Sequence, residues 1–243
     1  MLEVKGLSKH FNGVQAVKDV SFEVRKGTIT SLIGPNGAGK TTLFNLICGF
    51  LSSDSGAVHL AGNNLNGTSP HTRAGMGIGR TFQNLRIVKR LSALDNVMLA
   101  FKNHGSGGFW SLLSNGAERK NEERAYELLD FVGLKDKAGE SAGDLSYGQQ
   151  KLLCLACCRA LEPSVLLLDE PVAGVNQEMI TRILALLKQL GDSGLAVLLI
   201  EHNMEAVMGV SDRLIVMDEG RIIADGAPSA VREDPAVIEA YLG

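Results

Sequence analysis

The chain has no excess of charge of either sign. Its 24 Lys and Arg stand against 27 Asp and Glu, for a formal charge of −3 and a pI near 6.0. That balance lacks the basic footprint through which nucleic acid is held, so no nucleic-acid partner is expected. Long apolar runs are missing too. Those around Val165–Leu168 and Leu195–Ile200 are strand-sized, far short of the ~20 residues a bilayer-crossing helix needs. The first residues, Met1-Leu2-Glu3-Val4-Lys5, lack the basic-then-apolar order of a secretion signal. The expected location is the cytosol, with any membrane role supplied by partners.

Cysteine is scarce: Cys48, Cys154, Cys157 and Cys158. The last three fall at i, i+3 and i+4 and so share one face of a helix. No second Cys pair or His stands at metal-ligand spacing. The pattern reads as small buried residues on a core helix. Internal repeats and low-complexity tracts are also missing. What remains is an ordinary globular composition, 45% hydrophobic and 21% charged over 243 residues, enough for a real core in one large domain or a domain with a subdomain.

The most informative stretch is Gly34-Pro35-Asn36-Gly37-Ala38-Gly39-Lys40-Thr41-Thr42. It fits G-x-x-x-x-G-K-S/T, a loop whose backbone N–H groups cradle phosphates while the Lys reaches the β/γ-phosphates and the Ser/Thr hydroxyl ligates Mg²⁺. Its flanks are right. Thr28–Ile33 reads as a strand and Thr42–Ile47 as the opening of a helix, the arrangement that aims a helix N-terminus at an anion. A nucleoside triphosphate is the expected ligand.

Val20, Phe22 and Val24 alternate with Ser21, Glu23 and Arg25, the pattern of a half-buried antiparallel strand. Val165–Leu168 and Ala196–Ile200 are continuously apolar, as in a parallel sheet covered on both faces. Between them Gln177–Leu190 has helical periodicity, completing a strand–helix–strand unit. Leu214–Met217 and Arg221–Ala224 flank Asp218-Glu219-Gly220 as a hairpin, and Asp234-Pro235 opens a short last helix. From Leu85 to Leu161 helical signals dominate, as in Glu122–Phe131. Asn103–Asn121, rich in Gly and Ser with Phe109 and Trp110 embedded, reads as a surface loop. The expected fold class is α/β, a sheet domain interrupted by a helical insertion.

Val165–Leu168 runs into Asp169 and Glu170. A strand that delivers an Asp at its tip beside a phosphate loop supports the Mg²⁺ of bound ATP, and a Glu one residue on can polarise the attacking water. Strand-end carboxylates also occur as caps or solvated loop residues. Further along the same logic, Ser146 followed by Gln149 forms a capping box opening a helix through Leu161. That helix end, with free N–H groups and a positive dipole, is either an ordinary capped terminus or a second anion site.

Set in order, these motifs resemble the ATP-binding cassette (ABC) ATPase family along essentially the whole chain. Gly34–Thr41 matches its phosphate loop, Leu145–Gln149 its LSGGQ signature and Leu166–Glu170 its Walker B strand. Gln83, in Gly79–Gln83, falls where the family's Q-loop glutamine does, and His202 where its switch histidine ends a strand. The resemblance implies a P-loop (RecA-like) mixed-sheet core with an antiparallel β edge, residues 1–84 and 162–243, and an inserted α-helical subdomain, 85–161, carrying the signature. It implies ATP and Mg²⁺ as cofactors. Glu170, His202, Gln83 and Lys40 are the implied catalytic residues, with Thr41, Gln83 and Asp169 around the metal. Phe11, Gly34, Pro35, Asn36, Gly37, Ala38, Gly39, Lys40, Thr41 and Thr42 would contact the nucleotide, with Ser146, Gly148 and Gln149 covering it from a partner. For Phe11, adenine stacking competes with a core position.

Two positions depart from the family pattern. Tyr147 stands where the signature has Gly, and Ala173-Gly174-Val175-Asn176 ends in Asn where the family has Asp, which weakens the expectation of the usual cross-dimer contact. Within the family, Gly79–Gln83, the Tyr147 variant, Glu201-His202-Asn203-Met204, the Gly/Ser-rich insertion and the ending Val237–Gly243 are similar to ATPase subunits of branched-chain amino-acid importers. The resemblance then implies a head-to-tail dimer with itself or a sister ATPase, two integral-membrane permeases, an indirect link to a periplasmic solute-binding protein, and a peripheral place on the cytoplasmic side of the inner membrane. An ATPase of lipopolysaccharide export and a soluble, non-transport ABC ATPase are the alternatives.

Overall fold

The computed structural model describes residues 1–81, 87–102, 115–202 and 204–242. Strands β1 (Leu2–Phe11) and β2 (Val14–Val24) pair antiparallel, and Val20, Phe22 and Val24 are buried as their alternation predicts. Strand β3 (Ile29–Ile33) then leads through the phosphate loop into α1 (Lys40–Cys48). Next come β4 (Ser55–Leu60), β5 (Asn63–Asn64), α2 (Pro70–Gly75) and β6 (Ile78–Arg80). Helices α3 (Ala93–Lys102), α4 (Asn115–Phe131) and α5 (Tyr147–Ala160) follow. The chain returns to the sheet with β7 (Val165–Asp169), α6 (Gln177–Asp192), β8 (Ala196–Ile200), α7 (Met204–Val210), β9 (Arg213–Asp218) and β10 (Arg221–Gly226). It closes with α8 (Pro228–Arg232) and α9 (Pro235–Leu242).

Two sheets result among the described residues. One is antiparallel in the order β2-β1-β4-β5; the other runs β10-β9-β3-β8-β7-β6, parallel except for the β9–β10 hairpin. The continuous apolar runs of β7 and β8 follow from burial on both faces. Leu166, Leu168, Val197 and Leu199 face a core built with α5 and α6. Val165, Leu167, Leu198 and Ile200 face another, shared with α1 and the antiparallel sheet. Each such side chain contributes roughly 1.5–3 kcal/mol by leaving water, so neither face tolerates a polar residue until the strand tips.

Some elements were not legible beforehand. β1 contains Gly6 at φ +58, and its register with β2 shifts between Val4 and Leu7, so no simple alternation survives in its sequence. β4 and β6 are short and take partners from far along the chain, and β5 is a two-residue strand that pairs only with the end of β4 just before it. The surface loop expected over Asn103–Asn121 is corrected at its end, because α4 already begins at Asn115. Charged residues there have a helical use: Arg119 pairs with Glu123 one turn on. Phe109 and Trp110 lie outside the described residues.

On α5, Cys154 and Cys158 are buried and Cys157 packs against the same core. Burial pushes the Cys157 thiol well above the ordinary range, and a hydrogen bond with the Cys154 side chain, followed by burial, does the same for Cys158. These are inert packing groups.

Candidate functional site

The parallel strands present their carboxyl ends on one edge, where ligands of open α/β sheets bind. The loop Gly34–Gly39 leaves the tip of β3 and runs into α1. Gly34 has φ +150, and a Cβ there would lie 2.0 Å from the Met217 carbonyl oxygen; one on Gly39, at φ +98, would lie 2.2 Å from that of Ala16. The loop is thus pressed against β9 and β2 with room for hydrogen only. Neighbouring turns latch it. Gly220 N–H donates to Ala38 O (3.1 Å), and Lys18 N–H donates to Gly220 O (2.7 Å). The β9–β10 turn, with Glu219 at φ +42 and Gly220 at φ +82, therefore holds the phosphate loop as well as joining two strands.

α1 begins at Lys40 with Gly39 as its cap residue, and among the described residues no side chain caps its first N–H groups. They remain available to an anion. Lys40 Nζ donates to Gly34 O (2.7 Å) and Pro35 O (2.8 Å), arching over the loop. Burial pulls the Lys40 pKa down, opposed by the negative charges of Glu170 and Asp169. Ala38 is buried, whereas Asn36, Gly37 and Thr41 are exposed.

The two carboxylates arrive by register. Asp169, the last residue of β7, pairs with Ile200, the last of β8, so the next residues of both strands converge. His202 Nδ1 lies 3.4 Å from Glu170 Oε1. His202 does not end the strand as expected: β8 stops at Ile200, and His202 stands exposed beyond it. Asp169 is buried, which raises its pKa against the opposing pull of Arg80 first and Lys40 last. Arg80 donates from one guanidinium nitrogen to Asp169 Oδ2 (3.3 Å) and from the other to Asn45 Oδ1 (2.8 Å) on α1. It also lies against the rings of Phe44 and Phe50. Sequence reasoning treated Arg80 only as part of a motif run; a charged residue at the tip of a parallel strand was the available signal.

The other expected positions fall apart from this cluster or beside it. Phe11 is 41% exposed at the end of β1, so the core alternative is excluded. Its cross-strand partner is Val14, two residues before the Ala16 carbonyl that abuts Gly39. That puts an exposed ring, with the Lys9 ammonium 5.6 Å from its centroid, at the turn of the hairpin whose second strand abuts the phosphate loop. Tyr241 on α9 was not anticipated as a neighbour. Burial raises its pKa, and a hydrogen bond with the Gly34 backbone opposes that shift.

Ser146 and Gln149 form the capping box. Ser146 Oγ accepts from Gln149 N–H (3.3 Å), and Gln149 Oε1 accepts from Ser146 N–H (2.9 Å). Among the described residues no hydrogen bond joins either to the phosphate loop. Gly148 packs on α6, where a Cβ would meet Met179 at 2.9 Å. Asn176 has a local task, since its Oδ1 accepts from Met179 N–H (2.9 Å) and caps α6. Gln83 lies outside the described residues.

The family model described as ABC transporter matches residues 17–173. The chain belongs to the ATP-binding cassette family. A second model, described as branched-chain amino acid ATP-binding cassette transporter, matches residues 221–243, the stretch that runs from β10 through α9 to the end of the chain. This ABC chain is 41% identical to the high-affinity branched-chain amino acid transport ATP-binding protein BraF of Pseudomonas aeruginosa, and the alignment covers 100% of this chain and 98% of that one. It is 40% identical to LivG of Salmonella typhimurium, a protein of the same description, with the same coverage. Among solved structures, the ADP conformation of an ATP-binding cassette of an ABC transporter superposes with a TM-score of 0.88 at 33% identity, over 100% of this chain and 98% of that one. A dimeric post-hydrolysis cassette bound to ADP and Pi matches with a TM-score of 0.80 at 25% identity, over 94% and 99%. As a member of this family the chain is an ATPase, its fold is the P-loop mixed sheet with an antiparallel edge, and its cofactor is an adenine nucleotide.

Proposed function

We propose that this chain is the ATP-hydrolysing subunit of a membrane importer of branched-chain amino acids. It would work as a head-to-tail dimer with itself or a sister ATPase, docked on two permeases at the cytoplasmic side of the inner membrane and served by a periplasmic solute-binding protein. Among the described residues no helix is long and apolar enough to cross a membrane, which fits a peripheral subunit. The full-length likeness to BraF and LivG supports the solute class.

One observation carries the catalytic reading: Lys40, Asp169, Glu170 and His202 converge at the carboxyl edge of the sheet, while Ser146 lies on a separate helix end, its hydrogen bonds among the described residues all within its own turn. Lys40 and the open N–H groups of α1 bind the phosphates. Thr41 and Asp169 offer the oxygen donors a hard cation takes, and a cation beside Asp169 would offset the burial that now disfavours its charge. They would hold Mg²⁺, which when bound neutralises phosphate charge in the transition state. Glu170 accepts a proton from the attacking water, and His202, 3.4 Å away, orients that carboxylate. Phe11 stacks the base. Ser146, Gly148 and Gln149 of a partner cover the nucleotide, and Gln83 with the 85–161 helical subdomain passes its hydrolysis to the permeases, residues 1–84 and 162–243 forming the catalytic core.

Glu170→Gln tests the chemistry: it should bind ATP, accumulate a closed dimer and hydrolyse little, and normal turnover overturns the base assignment. A mixture of Lys40→Ala and Ser146→Ala chains should regain at most one working site per dimer; full activity argues against a shared site. For the solute, a strain lacking this chain should lose uptake of leucine, isoleucine and valine and keep that of unrelated solutes. Unchanged uptake of all three rejects the importer reading.

A further inference from the structure

Glu170 has φ +49, a left-handed conformation that a non-glycine residue keeps only where its surroundings hold it. Its N–H donates to Ile200 O (3.0 Å), and its carbonyl accepts from Ala173 N–H (3.2 Å). A third bond reaches the same peptide from another element: Lys151 Nζ, on α5, donates to Glu170 O at 2.9 Å. Four residues before Lys151, Tyr147 sets its ring 5.3 Å from that ammonium, within cation–π range. Tyr147 also lies along the loop after β7, since a Cβ on Gly174 would come 3.3 Å from its Cε1.

The surroundings of Lys151 are unusual for a lysine. Burial lowers its pKa, and the charges of Glu201 and Glu170, with the Cys154 thiol, oppose that shift. Glu201 is fully buried; its Oε1 accepts from Val172 N–H (3.0 Å), and among the described residues its Oε2 has no hydrogen-bond partner. A half-buried amine held between an aromatic ring, a strained carbonyl and a buried carboxylate gives up rotamer freedom of about 2 kcal/mol that a surface lysine keeps.

We propose that Lys151, steadied by Tyr147, is a positioning residue for Glu170: it clamps the strained peptide that aims the carboxylate and ties that aim to the helix carrying Ser146. This rests on Glu170 being the base. It also gives Tyr147, the bulky departure at the signature, a use inside its own chain. Movement of the α5 N-terminus would shift the Nζ and so the Glu170 peptide, with no partner residue touching the carboxylate.

The test compares Lys151→Met, Lys151→Arg and Glu170→Gln in the full-length chain, by single-turnover ATP hydrolysis and equilibrium ATP binding. Lys151→Met should slow hydrolysis about tenfold or more, because small misplacement of a catalytic group is costly, and leave the ATP Kd within about threefold. Lys151→Arg, which keeps a donor, should recover to within about threefold of the parent, and Lys151→Met should add little in the Glu170→Gln background, as residues acting as a unit are non-additive. If Lys151→Met keeps its rate while Glu170→Gln is inactive, the positioning role falls and the base stands. If Glu170→Gln turns over normally, the base reading itself falls. Equal loss in the Met and Arg variants, or loss of ATP binding in step with rate, reduces Lys151 to a structural residue. Should Lys151→Met fail to fold, exposed Tyr147→Ala decides: slower hydrolysis at an unchanged unfolding midpoint supports the clamp, and an unchanged rate removes it.

Discussion

Arg80 and Asp169 face each other across the β6–β7 pair at 3.3 Å, with side chains 9% and 8% exposed. This buried pair joins the tip of one strand to the acidic tip of its neighbour, and through Asn45 it reaches the helix that begins at the phosphate loop. Breaking a buried pair from one side leaves an uncompensated charge, at a cost of about 3–5 kcal/mol. Arg80→Met should therefore lower the urea midpoint strongly, and adding Asp169→Asn should recover part of the loss. A shift under about 1 kcal/mol would mean that water screens the pair as at a surface.

Gly34 and Gly37 both sit at positive φ in the phosphate loop, but only Gly34 is crowded. A Cβ on Gly37 meets nothing within 4 Å, whereas one on Gly34 meets Met217 O at 2.0 Å. Gly37→Ala should cost roughly 1–2 kcal/mol, the left-handed penalty. Gly34→Ala adds a backbone clash, so it should be the more destabilised of the two and lose ATP binding. Equal losses in chemical denaturation would show that the loop moves freely away from β9.

Phe11 is exposed and adds little to the core. If it stacks the base, Phe11→Ala should weaken ATP binding about tenfold, within the ~1–3 kcal/mol measured for base–aromatic stacking. The unfolding free energy should stay within about 0.5 kcal/mol, as for other surface changes. Fluorescent-nucleotide titration beside thermal unfolding separates the two effects.

Asp54 grips the residues just before that aromatic. It accepts from Lys9 Nζ (2.8 Å) and from His10 N–H (2.6 Å), and these bonds, Lys9 first, hold its carboxyl at about 2 against an ordinary 3.8. The folded value is the lower one, so the contribution is complete above the ordinary carboxylate range and is lost as pH falls through about 2. NMR titration of Asp54 should give a midpoint near 2, and in Asp54→Asn the acid sensitivity of the β1–β4 contact should disappear. A midpoint near 3.8 contradicts the grip.

The parallel core was legible because burial on both faces leaves a continuous apolar run, as in Val165–Leu168 and Ala196–Ile200. The phosphate loop and the capping box were legible because each is a local device whose residues are neighbours in sequence. β1 was not, since its bulge breaks the alternation. Nor was the start of α4, where charged residues resembled loop until their helical pairing showed. The site was half visible. Lys40, Asp169, Glu170 and His202 could be named, but not the Arg80 and Lys151 contacts that hold two of them.

By itself, the sequence determined the strand–loop–helix for phosphate, the carboxylates at the strand tip and the capped helix at Ser146, because hydrogen-bond geometry over three or four residues needs only those residues. Tertiary structure alone decided which tips meet. The Asp169–Ile200 register brings His202 to Glu170, the β9–β10 turn latches the phosphate loop, and Lys151 reaches a strained peptide 19 residues along. Those contacts depend on how twisted strands and packed helices fill a common core, a property of the whole chain that no short window contains.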